Sequence, residues 1–273
     1  LDAGSKLDMK NLKWLMYIAA GTGLLLLVLT IWIVSLIPDR KELTSCMTTK
    51  MYHVKLCPGS SNYAPLNQIS RNMQKAVVLT EDSRFYEHKG FDWESIEKSA
   101  KENLAKGKIK RGGSTITQQL AKNLYLSKDK SMTRKFAEAF ITLQIEKHLT
   151  KKEILEKYLN VIEFGKDIYG IKAAARVYFD KHPSQLDVIE SAFLAMLLPN
   201  PVKYSRSFKN KQLTPFAYRR VKNIIENLYQ YHRIEEFEYQ TAMARLESFL
   251  SHEEQSIEEQ ELESSDEDQE SET

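Results

Sequence analysis

A chain of 273 residues that is 42% hydrophobic and 28% charged, with 10 Gly and 7 Pro, has the composition of a globular protein, which excludes collagen-like, low-complexity and wholly disordered chains. Its formal charge of +2 conceals an asymmetry: 11 acidic and no Lys or Arg residues lie between Glu253 and Thr273, leaving 39 basic against 26 acidic residues, a balance of +13, over 1–252. So basic a body favours an anionic partner, whether nucleic acid, a phosphate-bearing substrate or an anionic membrane surface, and two cysteines are too few for a disulfide-rich secreted scaffold.

Residues 1–13 read as a short cytoplasmic N-terminus with Lys6, Lys10 and Lys13; Leu1 is not an initiator, so Leu1–Asp8 are expected to precede a native start at Met9. From Trp14 to Ile37 runs a stretch of 24 uncharged residues, which at 1.5 Å per residue is long enough to cross a bilayer core of roughly 30 Å with some tilt. Trp14, Tyr17 and Trp32 lie towards its ends, where amphipathic rings favour the interface. Arg40 and Lys41 follow it, so the charge bias is weak. The run exceeds the apolar core of a cleavable signal peptide and no A-x-A-like site closes it, so an uncleaved transmembrane signal-anchor over 14–37 is expected.

Residues 38–62 read as an extracytoplasmic stalk. Cys46 and Cys57 lie within it, and an oxidising exported compartment allows either a disulfide or two free thiols. Residues 63–250 form one body, long enough for a single core. The segment 251–273 is acidic and Ser/Gln-rich, a solvated tail. Within the body, Ser131 or Thr133 can cap a helix in which Phe136, Phe140 and Leu143 recur at helical spacing. Thr150-Lys151-Lys152-Glu153 spells a capping box before Ile154, Leu155, Tyr158 and Leu159. A further helix is expected from Ser184–Asp187, carrying Ile189, Phe193 and Leu197 and ending at Pro199-Asn200-Pro201, and a long one from Pro215 to Leu250. No alternating run is long enough for a sheet, so the expected fold is mostly α.

Several patterns carry little. Gly107–Ser114 nearly spells a P-loop but has Gly113 where the phosphate-binding Lys belongs and follows a helical pattern. Ser95-Ile96-Glu97-Lys98 and Ser127-Lys128-Asp129-Lys130 match S-x-x-K without any K-T-G. The six His are scattered at positions without zinc-site spacing, and no metal residue is assigned.

Three clusters remain. In the first, the apolar Ala76-Val77-Val78-Leu79 delivers Glu81 and Asp82 into a polar turn that runs to Gly90; a carboxylate held against apolar surroundings has its pKa raised and can serve as a general base near neutral pH. In the second, Gly112 and Gly113 allow close backbone approach, and Ser114, Thr115, Gln118 and Gln119 place hydroxyls and amides at a helix N-terminus, a sugar- or phosphate-binding arrangement. In the third, Arg134 and Glu138 share a helix face near Lys135, with Lys122 upstream. Taken alone, an Arg–Glu pair of this spacing is a surface ion pair; beside the other two clusters it gains a functional reading.

These clusters, in this order, resemble the peptidoglycan glycosyltransferase domain of glycosyltransferase family 51 in its monofunctional, membrane-anchored form. The family motif E-D-x-x-F-x-x-H-x-G falls on Glu81, Asp82, Phe85, His88 and Gly90; G-x-S-T-x-T-Q-Q runs from Gly112 to Gln119; R-K-x-x-E falls on Arg134, Lys135 and Glu138; and K-x-E-I-L-x-x-Y-L-N runs from Lys151 to Asn160. A small segment with Gly165, Tyr169, Gly170, Ala173 and Ala174 resembles the last motif. The likeness covers roughly 63–205, and no transpeptidase domain of the bifunctional relatives follows in this sequence.

The resemblance implies a lysozyme-like, mostly helical domain on the outer face of the bacterial cytoplasmic membrane that polymerises lipid II into β-1,4-linked glycan. It makes Glu81 the general base acting on the GlcNAc 4-hydroxyl and Glu138 the second catalytic glutamate. Lys122, Arg134 and Lys135 become the cations at the departing undecaprenyl pyrophosphate, and Ser114, Thr115, Gln118 and Gln119 the donor-site lining. It requires no cofactor, with a divalent Mg or Mn ion at the pyrophosphate left open. Expected partners are lipid II, the growing glycan strand and membrane lipids, with other wall-synthesis or division proteins open and nucleic acid excluded by the anchor. Lys98, Lys101, Lys106, Lys108, Lys110 and Arg111, interleaved with Phe91, Trp93, Ile96 and Leu104, suit contact with anionic headgroups. Two alternatives compete: a membrane-anchored muramidase, which needs an acid where flanking cations would keep Glu81 ionised, and a non-catalytic scaffold that binds lipid II.

Overall fold

The computed structural model describes residues 9–35, 38–106, 113–127 and 131–250. Gly112, the basic stretch 107–111, Lys128–Lys130, Leu1–Asp8 and the acidic tail 251–273 lie outside the described residues.

Helix α1 spans Met9–Ser35, 27 residues, or about 40 Å at 1.5 Å per residue. Trp14, Leu15, Tyr17 and Leu24 to Val28 are all exposed on it. Among the described residues no helix is long and apolar enough to cross a membrane, but the side chains of Leu29 and of 32–35, which belong to this uncharged run, are not among them.

The segment expected to be a stalk is instead built into the body. Helix α2 (Arg40–Thr44) and the antiparallel pair β1 (Met47–Thr48) and β2 (Lys55–Leu56) lie close to a Cys46–Cys57 disulfide, and Leu43 and Leu56 are fully buried in the main core. Backbone N–H groups of Lys50 and Met51 donate to the carbonyls of Leu124 (3.0 Å) and Asn123 (3.3 Å), and Arg40 Nη1 donates to His148 O at 2.8 Å. These apolar residues are too few and too scattered for periodicity to reveal a core contribution.

The body then runs through α3 (Arg71–Glu81), α4 (Trp93–Lys106), α5 (Ile116–Tyr125), α6 (Met132–His148) and α7 (Lys151–Val161) to a hairpin of β3 (Glu163–Gly165) and β4 (Ile168–Tyr169). It continues through α8 (Ile171–Phe179), α9 (Val188–Leu197), the short α10 (Pro201–Tyr204) and α11 (Arg206–Lys209), α12 (Pro215–Gln230) and α13 (Glu236–Ala244). The architecture is mostly helical, as expected, with two strand pairs of two or three residues a side, too short for alternation to show in the sequence.

Local chemistry sets the helix starts. Ser131 caps α6, and Thr150 with Glu153 closes the expected capping box on α7. Asp187, with Glu190, caps α9, whereas Ser184 lies in a preceding 3₁₀ turn. The long helix expected over 215–250 is two helices, broken where Tyr231 ends α12 and His232 turns with a φ of +52°. On α6 the recurring Phe136 and Leu143 face outward, 70% and 48% exposed, and the core side is Ala137, Glu138, Ile141, Thr142 and Ile145.

Helix α9 is buried along its whole length, with α3, α12 and α13 packed against it, while α5 packs on α6 and α7. Asn160 ties the chain before α3 to α7: its Oδ1 accepts from Ala64 N at 2.8 Å and its Nδ2 donates to Ala64 O (2.9 Å) and Glu156 O (2.8 Å). Its backbone carbonyl lies against Gly170, where an added Cβ would come within 2.7 Å and φ is +80°. The family-motif Asn is therefore a structural tie. Asn160→Ala leaves buried backbone groups of Ala64 unpaired and is expected to destabilise the domain by about 2–4 kcal/mol, read as a lowered midpoint in chemical denaturation with unchanged slope.

Candidate active site

The site forms where α3 ends against the start of α5. Ser70 caps α3 at its N-terminus and Asp82 is its C-cap. The buried Asp82 carboxylate faces His88 Nε2 at 2.9 and 3.1 Å and accepts the Ile116 backbone N–H at 3.0 Å. Burial raises the Asp82 pKa, against the pull of His88, the Ile116 N–H and Lys151. Thr115 Oγ1 donates to the Gly90 carbonyl at 2.7 Å and caps α5, with Gln118 completing a capping box. Gly90 has φ +92° and no room for a Cβ, which would meet Thr142 Cγ2 at 2.8 Å. Phe85 is fully buried beneath Lys151, whose Nζ lies 4.5 Å from the ring centroid.

The second cluster is built into this joint. The Ile116 and Gln118 N–H groups at the start of α5 are taken by a protein carboxylate and a hydroxyl cap. Thr115 and Gln118, expected as donor-site lining, act as caps, although Thr115 still borders the pocket described below. Ser114 is exposed beside them.

Glu81, one residue before Asp82, is half-buried. Gln119 Nε2 donates to its Oε2 at 2.7 Å, and the fully buried Tyr158 donates its hydroxyl to Gln119 Oε1 at 3.0 Å. Tyr158 thereby fixes which end of the amide faces Glu81, making Gln119 a positioning residue. Burial dominates and raises the Glu81 pKa; the Gln119 hydrogen bond, Lys122 and Arg220 oppose it, and Asp82 adds to it. Desolvation thus outweighs the nearby cations in setting the direction of the shift, as expected for a carboxylate delivered by an apolar helix. The cations acting on Glu81 are Lys122 and Arg220. The latter lies on α12, and no motif near it in the sequence pointed to the site.

Lys122 is the link to the third cluster. Its pKa is lowered first by burial, with Arg134 and Lys135 adding to the fall and Glu138 and Glu81 opposing it. Glu138 is 3% exposed and pairs with Lys135 rather than with Arg134 at i,i+4. It is a buried carboxylate, not half of a surface ion pair. Arg134 keeps a buried Nε without a hydrogen-bond partner among the described residues. A cavity of about 150 Å³ opens at the junction, lined by Leu79–Ser83, Asp92, Ser95 and Gly113–Thr115. Among the described residues no three His, Cys, Asp or Glu side chains gather into a cation site.

Residues 50–229 match the family profile described as Transglycosylase. The chain belongs to the transglycosylase family. It is 51% identical over 146 residues to the biosynthetic peptidoglycan transglycosylase of Azoarcus sp. (strain BH72), covering 54% of this chain and 63% of that protein. It is 44% identical over 165 residues to that of Nitrosospira multiformis, covering 60% and 70%. For the Chromobacterium violaceum protein of the same description the values are 49% over 142 residues, 52% and 62%. The matched part thus spans somewhat under two thirds of the Azoarcus and Chromobacterium relatives. All five motif segments, from Glu81 to Ala174, lie inside the matched region.

Because the Gln119 amide favours the ionised form of Glu81, Gln119→Leu is expected to raise the Glu81 pKa further. If Glu81 acts as a base, activity is lost as pH falls through that pKa, so the acid limb of a kcat/KM profile should move to higher pH in the variant. A linked stability effect has a definite sign. A carboxylate whose folded pKa is raised binds its proton more tightly when folded, so its stability contribution declines as pH rises from the unfolded value through the folded one. Glu81→Gln should therefore be more stable than the wild type at neutral pH, with the difference vanishing in acid, as checked by thermal melts across pH.

Proposed function

We propose that this transglycosylase polymerises lipid II into the glycan strands of peptidoglycan. Glu81 takes the proton from the GlcNAc 4-hydroxyl of the acceptor as that oxygen attacks C1 of the lipid-linked MurNAc, and undecaprenyl pyrophosphate departs. The leaving group is already a weak base and needs no general acid; the charge that builds on it in the transition state needs fixed cations. The observation that carries this reading is the electrostatic continuity from Glu81 through Lys122 to Lys135, Arg134 and Glu138. With Glu81 at the end of α3, Lys122 on α5 and Arg134 and Lys135 on α6, it is consistent with a reaction that deprotonates one end and builds charge at the other. The unpartnered Arg134 Nε supports a phosphate-facing role, since a guanidinium fork matches phosphate oxygens. Glu138, paired with Lys135, orients that cluster.

A membrane-anchored muramidase would use Glu81 as an acid, which its raised pKa favours. Against that stands Gln119, whose N–H is aimed at the carboxylate and stabilises its charged form. A non-catalytic scaffold would have little need of a desolvated carboxylate held at this junction.

In this reading α1, 27 residues long and uncharged from Trp14 onward, anchors the chain in the cytoplasmic membrane. The body then lies on the outer face, where the Cys46–Cys57 disulfide is at home. Its partners are lipid II, the growing strand and membrane lipids, with other wall-synthesis proteins as further candidates.

Incubating the detergent-solubilised chain with labelled lipid II should yield a ladder of glycan strands, and Glu81→Gln should lower the rate by about 10²–10⁴-fold. Near-normal polymerisation by Glu81→Gln would refute the base assignment. Arg134→Ala should lower kcat with little change in substrate binding, the signature of an interaction made in the transition state; equal losses in kcat and binding would assign it to docking.

A further inference from the structure

A second and larger cavity, of about 730 Å³, adjoins the catalytic pocket and shares Leu79 and Ser83 with it. It runs along the outer side of α3. Its floor is Leu66, Val78 and Leu79, and its rim carries four cations: Arg71, Lys75, Lys152 and Arg233. None of the four has an ion-pair partner among the described residues. The two carboxylates in the wall are already engaged. Glu153 closes the α7 capping box and faces Arg40, and Glu156 accepts from Tyr63 and from the Leu66 N–H. The groove therefore carries four cations against two carboxylates that are held by other partners, an excess of positive charge over an apolar floor.

We propose that this groove is a subsite for the carboxylate-bearing peptide stem of the glycan unit held at Glu81. The proposal rests on the polymerase reading and extends it. A neutral sugar does not call for four cations, and the pyrophosphate has its own cluster on α5 and α6. What remains of a disaccharide–pentapeptide substrate is the peptide, which is anionic at its end and partly apolar along its length. The dimensions agree. From Glu81 back to Lys75 and Arg71 the α3 axis rises about 9 and 15 Å, and five extended residues reach about 17 Å. A stem attached to a sugar beside Glu81 can thus lie over Val78 and Leu79 and bring its terminal carboxylate to the Arg71–Lys75 end.

The test compares lipid II with an otherwise identical substrate whose stem carboxylates are amidated. It uses the full-length chain, the exposed-site variant Arg71→Gln/Arg233→Gln, and Lys75→Gln as a second. The wild type should prefer the acidic stem, and the double variant should raise KM for it about tenfold while leaving kcat and the amidated substrate unchanged. In parallel, binding of the free stem pentapeptide is followed by NMR; it should weaken with salt and disappear in the double variant. Polymerisation indifferent to the stem carboxylates overturns the subsite while leaving the polymerase intact. A chain that polymerises neither substrate, yet binds the pentapeptide through Arg71 and Arg233, overturns the polymerase and supports the subsite. Two other outcomes also overturn the proposal. In one, the same residues respond to phosphatidylglycerol vesicles and not to the pentapeptide; in the other, the pentapeptide binds only after removal of 251–273 and the groove proves to hold that acidic segment.

Discussion

The site depends on one buried carboxylate that does no chemistry. Asp82 terminates α3, accepts the first free N–H of α5 and is held by His88, so these hydrogen bonds join the end of one helix to the start of another more than thirty residues on. A negative group at a helix N-terminus is favourable, and a buried one is acceptable only when its hydrogen bonds are made. Everything functional is indexed from that joint. Glu81 is the residue before it, and Gln119 and Lys122 lie one and two turns into the helix it caps. The Gly90 and Thr115 contact closes the loop between them.

The joint sets up a conflict between desolvation and charge. Burial pushes Glu81 up and Lys122 down, each towards its neutral form, while each partly restores the other. Burial disfavours both charges. An anionic leaving group arriving beside Lys122, Arg134 and Lys135 would supply the missing counter-charge, so the cations are most satisfied when charge has developed on the substrate. If these cations face the leaving group as proposed, the energetic cost of holding like charges together falls on folding and is recovered in the transition state.

The sequence made the mostly helical class, the α6 and α7 caps and the order of the motif clusters legible, because short-range hydrogen-bond chemistry and helical spacing are local properties. It left open what depends on packing. Thr115 and Gln118 have the chemistry of ligand-binding groups and are used as caps, a choice that hydroxyl and amide side chains leave open until the neighbouring backbone is known. Phe136 and Leu143 mark α6 as a helix but face outward, since a pattern of period 3.6 shows an apolar face without saying what covers it. Leu43 and Leu56 belong to the core although their segment reads as a linker. Arg220 reaches Glu81 from a helix far along the chain, and nothing near it in the sequence signals that meeting.

The central claim is that burial at the α3–α5 joint, more than the surrounding cations, governs Glu81. The most direct measurement is a difference infrared titration of the carboxylate band, wild type minus Glu81→Gln, which isolates this one group. The account predicts a band that titrates above the ordinary value of 4.5 and moves up further in Gln119→Leu, which removes the hydrogen bond that favours the charged form. A band titrating at or below 4.5 in the wild type would mean that Lys122 and Arg220 dominate, and would contradict the account.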